Sequence, residues 1–258
     1  LLSQAQDSSL THSTLQLRAT MSAIRHPCLI MGQCPSNFEG RNTEYAVSLM
    51  LSLSRKLLPL QKSMRQEGWV GATPLWLGRE LHHKTIGLIG FGQIARRVAR
   101  ITHFGFKMPV LAYDPYVGPE EMAQTGVRKT EDPAQLLSQS DIVSIHCALT
   151  PSTTNLIGAE QFRTMLPSAF LINVSRGRII DEEALLVALL EKRIAGAALD
   201  VYSEEPLNVM THPTISQLAD MDNVLLSSHL AWYTVEAEER LQKTVAERCI
   251  DIIEEKIK

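Results

Sequence analysis

A glycine-rich hexapeptide, GFGQIA, has the residue types and spacing of a phosphate-binding turn. It follows a short apolar run and opens a helical pattern, which is the context that a dinucleotide-binding G-x-G-x-x-A motif requires. Gly90 would permit the tight turn, Gly92 would let the backbone approach a pyrophosphate, and Ala95 would let the helix pack on the strand. The free N–H groups of Gln93 and Ile94 would then meet the phosphates.

An acidic residue at the end of the next apolar run supports this interpretation. Asp114 follows the segment LAY, about 20 residues after the glycine motif. Its carboxylate would accept hydrogen bonds from the adenine ribose and would repel the additional phosphate of NADP. We therefore predict NAD as the cofactor. The alternative is a simple glycine turn near a surface aspartate, which leaves the register of strand, turn, helix and acid unexplained.

Three further segments carry side chains that could do chemistry, and each follows a predicted strand. Residues 173–178 contain arginines, residues 198–206 contain two adjacent glutamates before a proline, and residues 223–232 contain one histidine. In open parallel sheets, ligands bind beyond the carboxyl ends of the strands. We therefore predict that an arginine, a glutamate and a histidine meet in one site at that edge.

The elements that must position these residues are short apolar runs that alternate with helical patterns. Six runs are predicted as strands, at residues 85–90, 109–114, 141–147, 169–174, 195–201 and 223–227. Strands of this length alternating with helices indicate a parallel sheet covered on both faces. We predict an α/β fold with a doubly wound Rossmann sheet, although barrels show the same alternation.

A separate long helix is predicted before the first strand. Asn42 would be its N-cap, and Glu44 would lie in its first turn. Apolar residues recur over residues 43–67 at alternating steps of four and three, which places one apolar stripe along a helix. The stripe comprises Ala46, Met50, Leu53, Leu57, Leu60 and Met64.

Composition limits the classes of function. The chain has 258 residues, 45% hydrophobic and 21% charged, with a formal net charge of −3. This balance predicts no nucleic acid partner, and no apolar run reaches the roughly 18 residues that a membrane span needs. Four scattered cysteines favour a reducing compartment such as the cytoplasm, although organelle targeting stays open. Cys28 and Cys34 lie near His26, but a metal site needs more ligands, so we predict none.

The ordered motifs resemble those of the D-isomer-specific 2-hydroxyacid dehydrogenases, which include the D-3-phosphoglycerate dehydrogenases. The likeness extends over residues 43–251. It includes the linker GREL at residues 78–81, the glycine motif, the segment HCALTP at residues 146–151 and the stretch 156–206. The resemblance implies hydride transfer between NAD(H) and a small D-2-hydroxy acid or 2-keto acid.

The resemblance assigns catalytic roles to Arg176, Glu205 and His229, rather than to the adjacent Arg178 and Glu204. His229 would donate a proton to the carbonyl oxygen in reduction and remove one in oxidation. Glu205 would fix the imidazole ring and favour its charged form. Arg176 would bind the substrate carboxylate, because a planar guanidinium suits a carboxylate.

The resemblance also implies further contacts around the site. His146 is expected to be a packed or cofactor-edge residue, and Trp232 either walls the substrate pocket or packs in the core. Beyond the glycine turn and Asp114, the residues implied to contact the cofactor are Cys147, Thr150, Val174, Asp200 and Ala231.

Two domains and a homodimer follow from the same resemblance. Residues 78–232 would form the NAD-binding Rossmann domain, inserted into a flavodoxin-like substrate domain made of residues 1–77 and 233–258. Family members dimerise largely through the cofactor domain and its long flanking helix. We therefore expect the helix at residues 43–67 to contribute to a dimer contact.

Several departures from the family pattern concern the start of the chain. Only 42 residues precede the predicted helix, and they show neither the expected strand–helix pattern nor the glycine-rich loop that binds the substrate carboxylate. We therefore expect an incomplete, N-terminally truncated substrate domain, and the first residue, Leu1, indicates a fragment, a processed form or an incomplete gene model.

His83 replaces a usual glycine, so a strained positive φ is expected there. Ala148 replaces a common proline.

An alternative function remains open. A truncated NAD(H)-binding homologue could dimerise without turnover, as in the C-terminal-binding protein corepressors, which the segment AWY at residues 231–233 resembles. The presence of Arg176, Glu205 and His229 opposes that alternative. A formate dehydrogenase is disfavoured, because that relative has a neutral glutamine at the position of Glu205.

Overall fold

In the part of the chain that the computed structural model describes, seven strands run parallel in one sheet. The structure describes residues 39–257, so the predictions for Cys28, Cys34 and the first 38 residues of the substrate domain lie outside the described residues. The strands are β1 Ile86–Ile89, β2 Val110–Tyr113, β3 Val127–Lys129, β4 Ile142–Ile145, β5 Phe170–Asn173, β6 Gly196–Leu199 and β7 Val224–Leu226. Their order is β3-β2-β1-β4-β5-β6-β7. The direction of winding reverses between β1 and β4, where open α/β sheets bind ligands.

Helices cover both faces of this sheet, which confirms the doubly wound prediction and excludes a barrel. They are α1 Glu39–Ser54, α2 Leu57–Glu67, α3 Gln93–Arg100, α4 Pro119–Ala123, α5 Pro133–Gln139, α6 Ala159–Thr164, α7 Glu182–Leu190, α8 Ile215–Ala219 and α9 Val235–Ile257. One buried cluster joins α1 and α3 to the sheet, and a second joins α5, α6 and α7 to its other face. Except for β3, where Arg128 is exposed, the strands are buried or half-buried along their whole length, as their continuous apolar runs predict.

The single long helix predicted over residues 43–67 is wrong. Helix α1 already begins at Glu39, so Asn42 is not its N-cap, and the chain breaks before α2 at Lys56, which adopts φ 52°. Pro59 explains the break, because in a continuous helix its ring would clash with the carbonyl of Arg55. In α2 it lies in the first turn, where no intrahelical N–H bond is needed.

Three short elements were not predicted from the sequence. They are α4, β3 and α8, of five, three and five residues. Such segments are too short to show a hydrophobic period. A smaller prediction is confirmed: His83 has φ 62°.

The described residues contain neither a candidate membrane span nor a candidate metal site. Between residues 39 and 257, no helix combines the length and apolar character needed to cross a bilayer. Within the same range, no three side chains of His, Cys, Asp or Glu gather closely enough to bind a metal ion.

A close backbone contact joins the loops that follow β5 and β6. Gly177 begins the helical turn Gly177–Ile179, and a Cβ added there would lie 1.8 Å from the carbonyl carbon of Tyr202 and 2.4 Å from the nitrogen of Ser203. Backbone atoms cannot rotate away as a side chain can. Glycine is therefore required here by packing, and its absence of a side chain fixes the spacing of the two loops.

We predict that Gly177→Ala lowers the free energy of unfolding by about 3 kcal/mol, because the added methyl group forces the two backbones apart. Chemical denaturation followed by circular dichroism measures the change. Gly71→Ala is the matched control, since no described atom lies within 4 Å of its added Cβ. It should change the free energy by less than about 0.5 kcal/mol. Equal effects of the two substitutions would contradict the packing argument.

Candidate active site

The turn between β1 and α3 contains two glycines that the structure explains differently. Gly90 adopts φ 89°, and a Cβ there would lie 2.6 Å from the backbone nitrogen of Cys147, so packing within the chain requires this glycine. At Gly92, by contrast, no described atom beyond its chain neighbours lies within 4 Å of an added Cβ. The protein itself gives no reason for a glycine there. A pyrophosphate that must approach the backbone does.

The start of α3 also fits a dinucleotide. Gly92 is the N-cap in an extended conformation; no side chain caps the helix, and its first turn contains no acidic residue. Helix N-terminal N–H groups attract anions when no such group satisfies them. Ala95 is fully buried, as the motif predicts for the residue that lets the helix pack on the sheet. Gln93 is exposed and Ile94 is half-buried at this end of the helix.

Asp114 ties the end of β2 to the glycine turn. Its Oδ2 accepts a hydrogen bond from the N–H of Phe91 at 2.8 Å, and its Oδ1 accepts one from the N–H of Tyr116 at 2.9 Å. A carboxylate has about four acceptor sites, so these two bonds orient it and leave capacity for ribose hydroxyls. The structure thus places the acid beside the turn, as the spacing predicts.

The predicted acid and histidine are in direct contact. Nδ1 of His229 lies 2.6 Å from Oε2 of Glu205, and the two side chains are 28% and 32% exposed. The other carboxylate oxygen accepts a hydrogen bond from the N–H of Tyr202 at 2.8 Å. The carboxylate therefore sets the orientation of the imidazole ring, while both groups remain open to a ligand.

Asp200 holds the loop that carries the histidine. Its buried carboxylate accepts hydrogen bonds from the hydroxyl of Ser227 at 2.6 Å and from the N–H groups of Leu230 and Ala231 at 3.0 and 2.8 Å. Its backbone carbonyl accepts the N–H of His229 at 2.7 Å. His229 itself has φ 56°, a left-handed conformation that non-glycine residues seldom adopt. Asp200 is predicted from the sequence to contact the cofactor; these hydrogen bonds give it a structural role in the loop.

Asn173 shapes the loop that carries the predicted arginine. Its buried side chain donates a hydrogen bond to the carbonyl of Arg176 at 3.0 Å and accepts one from the N–H of Ser175 at 3.0 Å. The guanidinium of Arg176 is exposed and donates one hydrogen bond, to the carbonyl of Ser175. The hydroxyl of Ser175 donates to the carbonyl of Cys147. The ends of β4 and β5 are thereby joined beside the crevice.

The end of β4 is uncharged at neutral pH. Burial lowers the pKa of His146 to about 4, and its Nε2 lies 2.9 Å from the hydroxyl of Ser144. Burial likewise raises the pKa of the neighbouring Cys147 thiol to about 11. His146 is therefore a packed, uncharged residue at the end of β4, which is one of the two roles predicted for it, and neither group adds charge there.

The remaining predicted cofactor residues border the same edge in different ways. Val174 and Ala231 are buried at the ends of their loops. Thr150 is exposed, and its Oγ1 lies 2.9 Å from the hydroxyl of Ser152. These placements put each residue at the carboxyl end of the sheet without defining a contact.

Sequence reasoning missed two residues that support Glu205. Glu182, in the first turn of α7, is buried and accepts hydrogen bonds from the N–H and the hydroxyl of Ser203, both at 2.7 Å. The hydroxyl of Tyr202 donates to the carbonyl of Ser227 at 2.8 Å, and burial, with Asp200 nearby, raises the pKa of this phenol. An acid at a helix start is too common to indicate such a role from sequence.

Known proteins match most of this chain. Residues 47–231 match the family model described as D-isomer specific 2-hydroxyacid dehydrogenase, NAD binding domain. A D-3-phosphoglycerate dehydrogenase from Synechocystis is 38% identical over 210 residues, which cover 81% of this chain and 36% of that protein. A glyoxylate/hydroxypyruvate reductase B from Escherichia coli is 32% identical over 97% of this chain and 79% of that protein.

A solved structure gives the same result. The D-lactate dehydrogenase from Aquifex aeolicus, complexed with NAD and lactic acid, superposes with a TM-score of 0.77 at 28% identity, covering 85% of this chain and 68% of that one. The chain spans only about a third of the length of the Synechocystis relative, with 36% covered. By its matched residues and its sheet, the chain belongs to the D-isomer specific 2-hydroxyacid dehydrogenase family and contains that family's NAD-binding domain.

Proposed function

We propose that this protein transfers a hydride between NAD(H) and a small D-2-hydroxy acid or 2-keto acid, with His229 as the general acid and base. The observation that carries this proposal is the 2.6 Å contact between Nδ1 of His229 and Glu205, on the sheet edge that also holds the glycine turn. Bound nicotinamide would supply or accept the hydride. The named activities of the relatives above support the substrate class.

The proton is handled by the chain's own residues. Because Nδ1 of His229 is engaged by Glu205, Nε2 is the nitrogen that exchanges a proton with the substrate oxygen. Glu205 stabilises the imidazolium that exists while the proton is on the ring. The hydrogen bond from Tyr202 keeps the carboxylate in place during the exchange.

Arg176 would bind the substrate carboxylate. Its guanidinium is exposed and uses one donor on the carbonyl of Ser175, so several of its five N–H groups remain for a bidentate pair. Gly177 packs against the Tyr202–Ser203 peptide, which brings this arginine's loop against the loop of Glu205.

The proposal also includes cofactor contacts by the strand-end residues Cys147, Thr150, Val174, Asp200 and Ala231, and the division into domains at residues 78 and 232.

We predict that His229→Gln lowers kcat for reduction of 2-keto acids about 10³-fold, while the Kd for NADH is unchanged, because the proton donor is lost and the cofactor site is intact. NADH absorbance and fluorescence titration measure the two quantities. His82→Gln, an exposed histidine in the linker, should leave both unchanged. NADH binding by the wild-type chain without turnover across a broad panel of 2-keto acids would instead support the non-catalytic alternative.

We predict that Gly92→Ala weakens NADH binding at least about tenfold, because the new methyl group occupies the space that the pyrophosphate needs. Its free energy of unfolding should change by less than about 1 kcal/mol. Gly118→Ala is a close control: Gly118 is also an N-cap glycine, with φ −71° against −75° at Gly92, and no described atom lies near its added Cβ. Equal NADH affinity in the two variants would contradict the proposal that the pyrophosphate approaches the backbone at Gly92.

We also propose a homodimer through α2 and the connector that follows it, residues 68–85. Helix α2 buries a polar side chain, that of Ser63, and the Ser63 hydroxyl has no hydrogen-bond partner among the described residues. Large apolar side chains of α2 and the connector are exposed instead: Leu57, Leu58, Met64, Trp69, Leu75 and Leu77. An apolar surface of this kind indicates a protein interface.

We predict that the double substitution Leu57→Glu and Leu58→Glu shifts the protein from dimer to monomer, because charges buried in the interface oppose association. Sedimentation equilibrium measures the mass. Met210→Glu places one charge at an exposed apolar residue elsewhere, on a side chain that is 85% exposed, and should leave the dimer intact. A wild-type chain that sediments as a monomer at all concentrations would contradict the proposal.

A further inference from the structure

We infer that Glu182 is a positioning residue for the Glu205–His229 pair, acting through Ser203. The inference rests on the proposed function for its catalytic consequence. It rests on geometry alone for its structural part. Glu182 lies on α7, and its carboxylate accepts hydrogen bonds from Ser203 rather than from His229.

The contacts form a short chain from α7 to the imidazole. The two carboxylate oxygens of Glu182 accept the N–H and the hydroxyl of Ser203, both at 2.7 Å. The preceding residue, Tyr202, donates its N–H to Oε1 of Glu205 at 2.8 Å. Oε2 of the same carboxylate meets Nδ1 of His229 at 2.6 Å. The peptide that Glu182 holds is therefore one residue from the donor that orients Glu205.

The burial of Glu182 requires an explanation that helix capping does not give. A carboxylate in the first helical turn is favourable beside the helix dipole, but that benefit needs no burial. Glu183 occupies the same turn and is exposed, whereas Glu182 is 8% exposed. Taking a carboxylate out of water is unfavourable unless hydrogen-bond donors replace the solvent. The Ser203 donors fill that role, and the side chain in return fixes the loop.

The loop has few other constraints between Tyr202 and Glu205. The hydroxyl of Tyr202 anchors one flank to the carbonyl of Ser227, and Gly177 packs against the Tyr202–Ser203 peptide from one side. Ser203 and Glu204 are exposed residues. Without Glu182 the peptide could move away from Gly177, and the N–H that orients Glu205 would move with it. A misplacement of about 1 Å can lower a catalytic rate about 10²-fold.

The first experiment measures ring positioning in the cofactor-free chain. Proton NMR should show an exchange-protected Nδ1–H resonance of His229, assigned by its loss in His229→Gln. We expect Glu182→Ala to abolish this resonance and Glu182→Gln, which keeps an acceptor and the side-chain shape, to retain it. Glu183→Ala is the matched control and should leave it unchanged. An unchanged resonance in Glu182→Ala overturns the inference, as does its absence from the wild-type chain.

The second experiment measures turnover. Glu182→Ala should lower kcat about 10- to 100-fold with the Kd for NADH unchanged. In the Glu205→Gln background the same substitution should have less than about a twofold further effect, because its route to His229 is already lost. Losses that multiply in the double variant would show a purely structural role and overturn the inference.

A different variant tests the inference if Glu182→Ala does not fold. Ser203→Ala removes one of the two hydrogen bonds to Glu182 at an exposed residue, and it should speed solvent exchange of the His229 resonance. Unchanged exchange would overturn the inference. If the wild-type chain binds NADH but shows no turnover, the proposed function fails, while the NMR comparison still decides whether Glu182 positions the pair.

Discussion

A carboxylate removed from solvent, that of Asp200, determines where the loop after β7 runs. Placing an unpaired carboxylate in the interior costs several kcal/mol, and three donors from residues 227–231 offset this cost. The same residue's carbonyl holds the backbone of His229 in its left-handed conformation, which itself costs about 1–3 kcal/mol. The desolvated carboxylate of Asp200 and the strained backbone of His229 are therefore held by the same loop, and this loop places the imidazole at the sheet edge.

A second constraint comes from parallel strand order. The carboxyl ends of the seven described strands lie at one edge. Residues far apart in sequence therefore come together there, independently of how the helices pack. This is why much of the site could be predicted from the sequence. The glycine turn, Asp114 and the pair of Glu205 and His229 all follow strands that are continuous apolar runs. Once the runs are recognised as parallel strands, the edge they share follows directly.

The rest could not be predicted, for physical reasons that differ between residues. The break at Lys56 depends on Pro59, whose effect overrides an apolar period that continues through it. The short strand β3 is too short to carry a periodic signal of its own, and its pairing with β2 follows from the backbone register. Asn173 and Glu182 act through side-chain hydrogen bonds to loops, and such bonds depend on three-dimensional approach rather than on spacing along the chain.

The packing of α1 has a consequence for how the chain folds. Met50 of α1 lies in one buried cluster with Ile172, Ala198 and Leu225, from the last three strands. During synthesis this helix leaves the ribosome well before the strands that cover it exist. Neighbouring β1 and α3 can cover part of its apolar face early, but the part that contacts the last three strands has no partner until those strands are made. Contacts this distant in sequence form more slowly than local ones, so this face of α1 is a place where the incomplete chain exposes apolar surface.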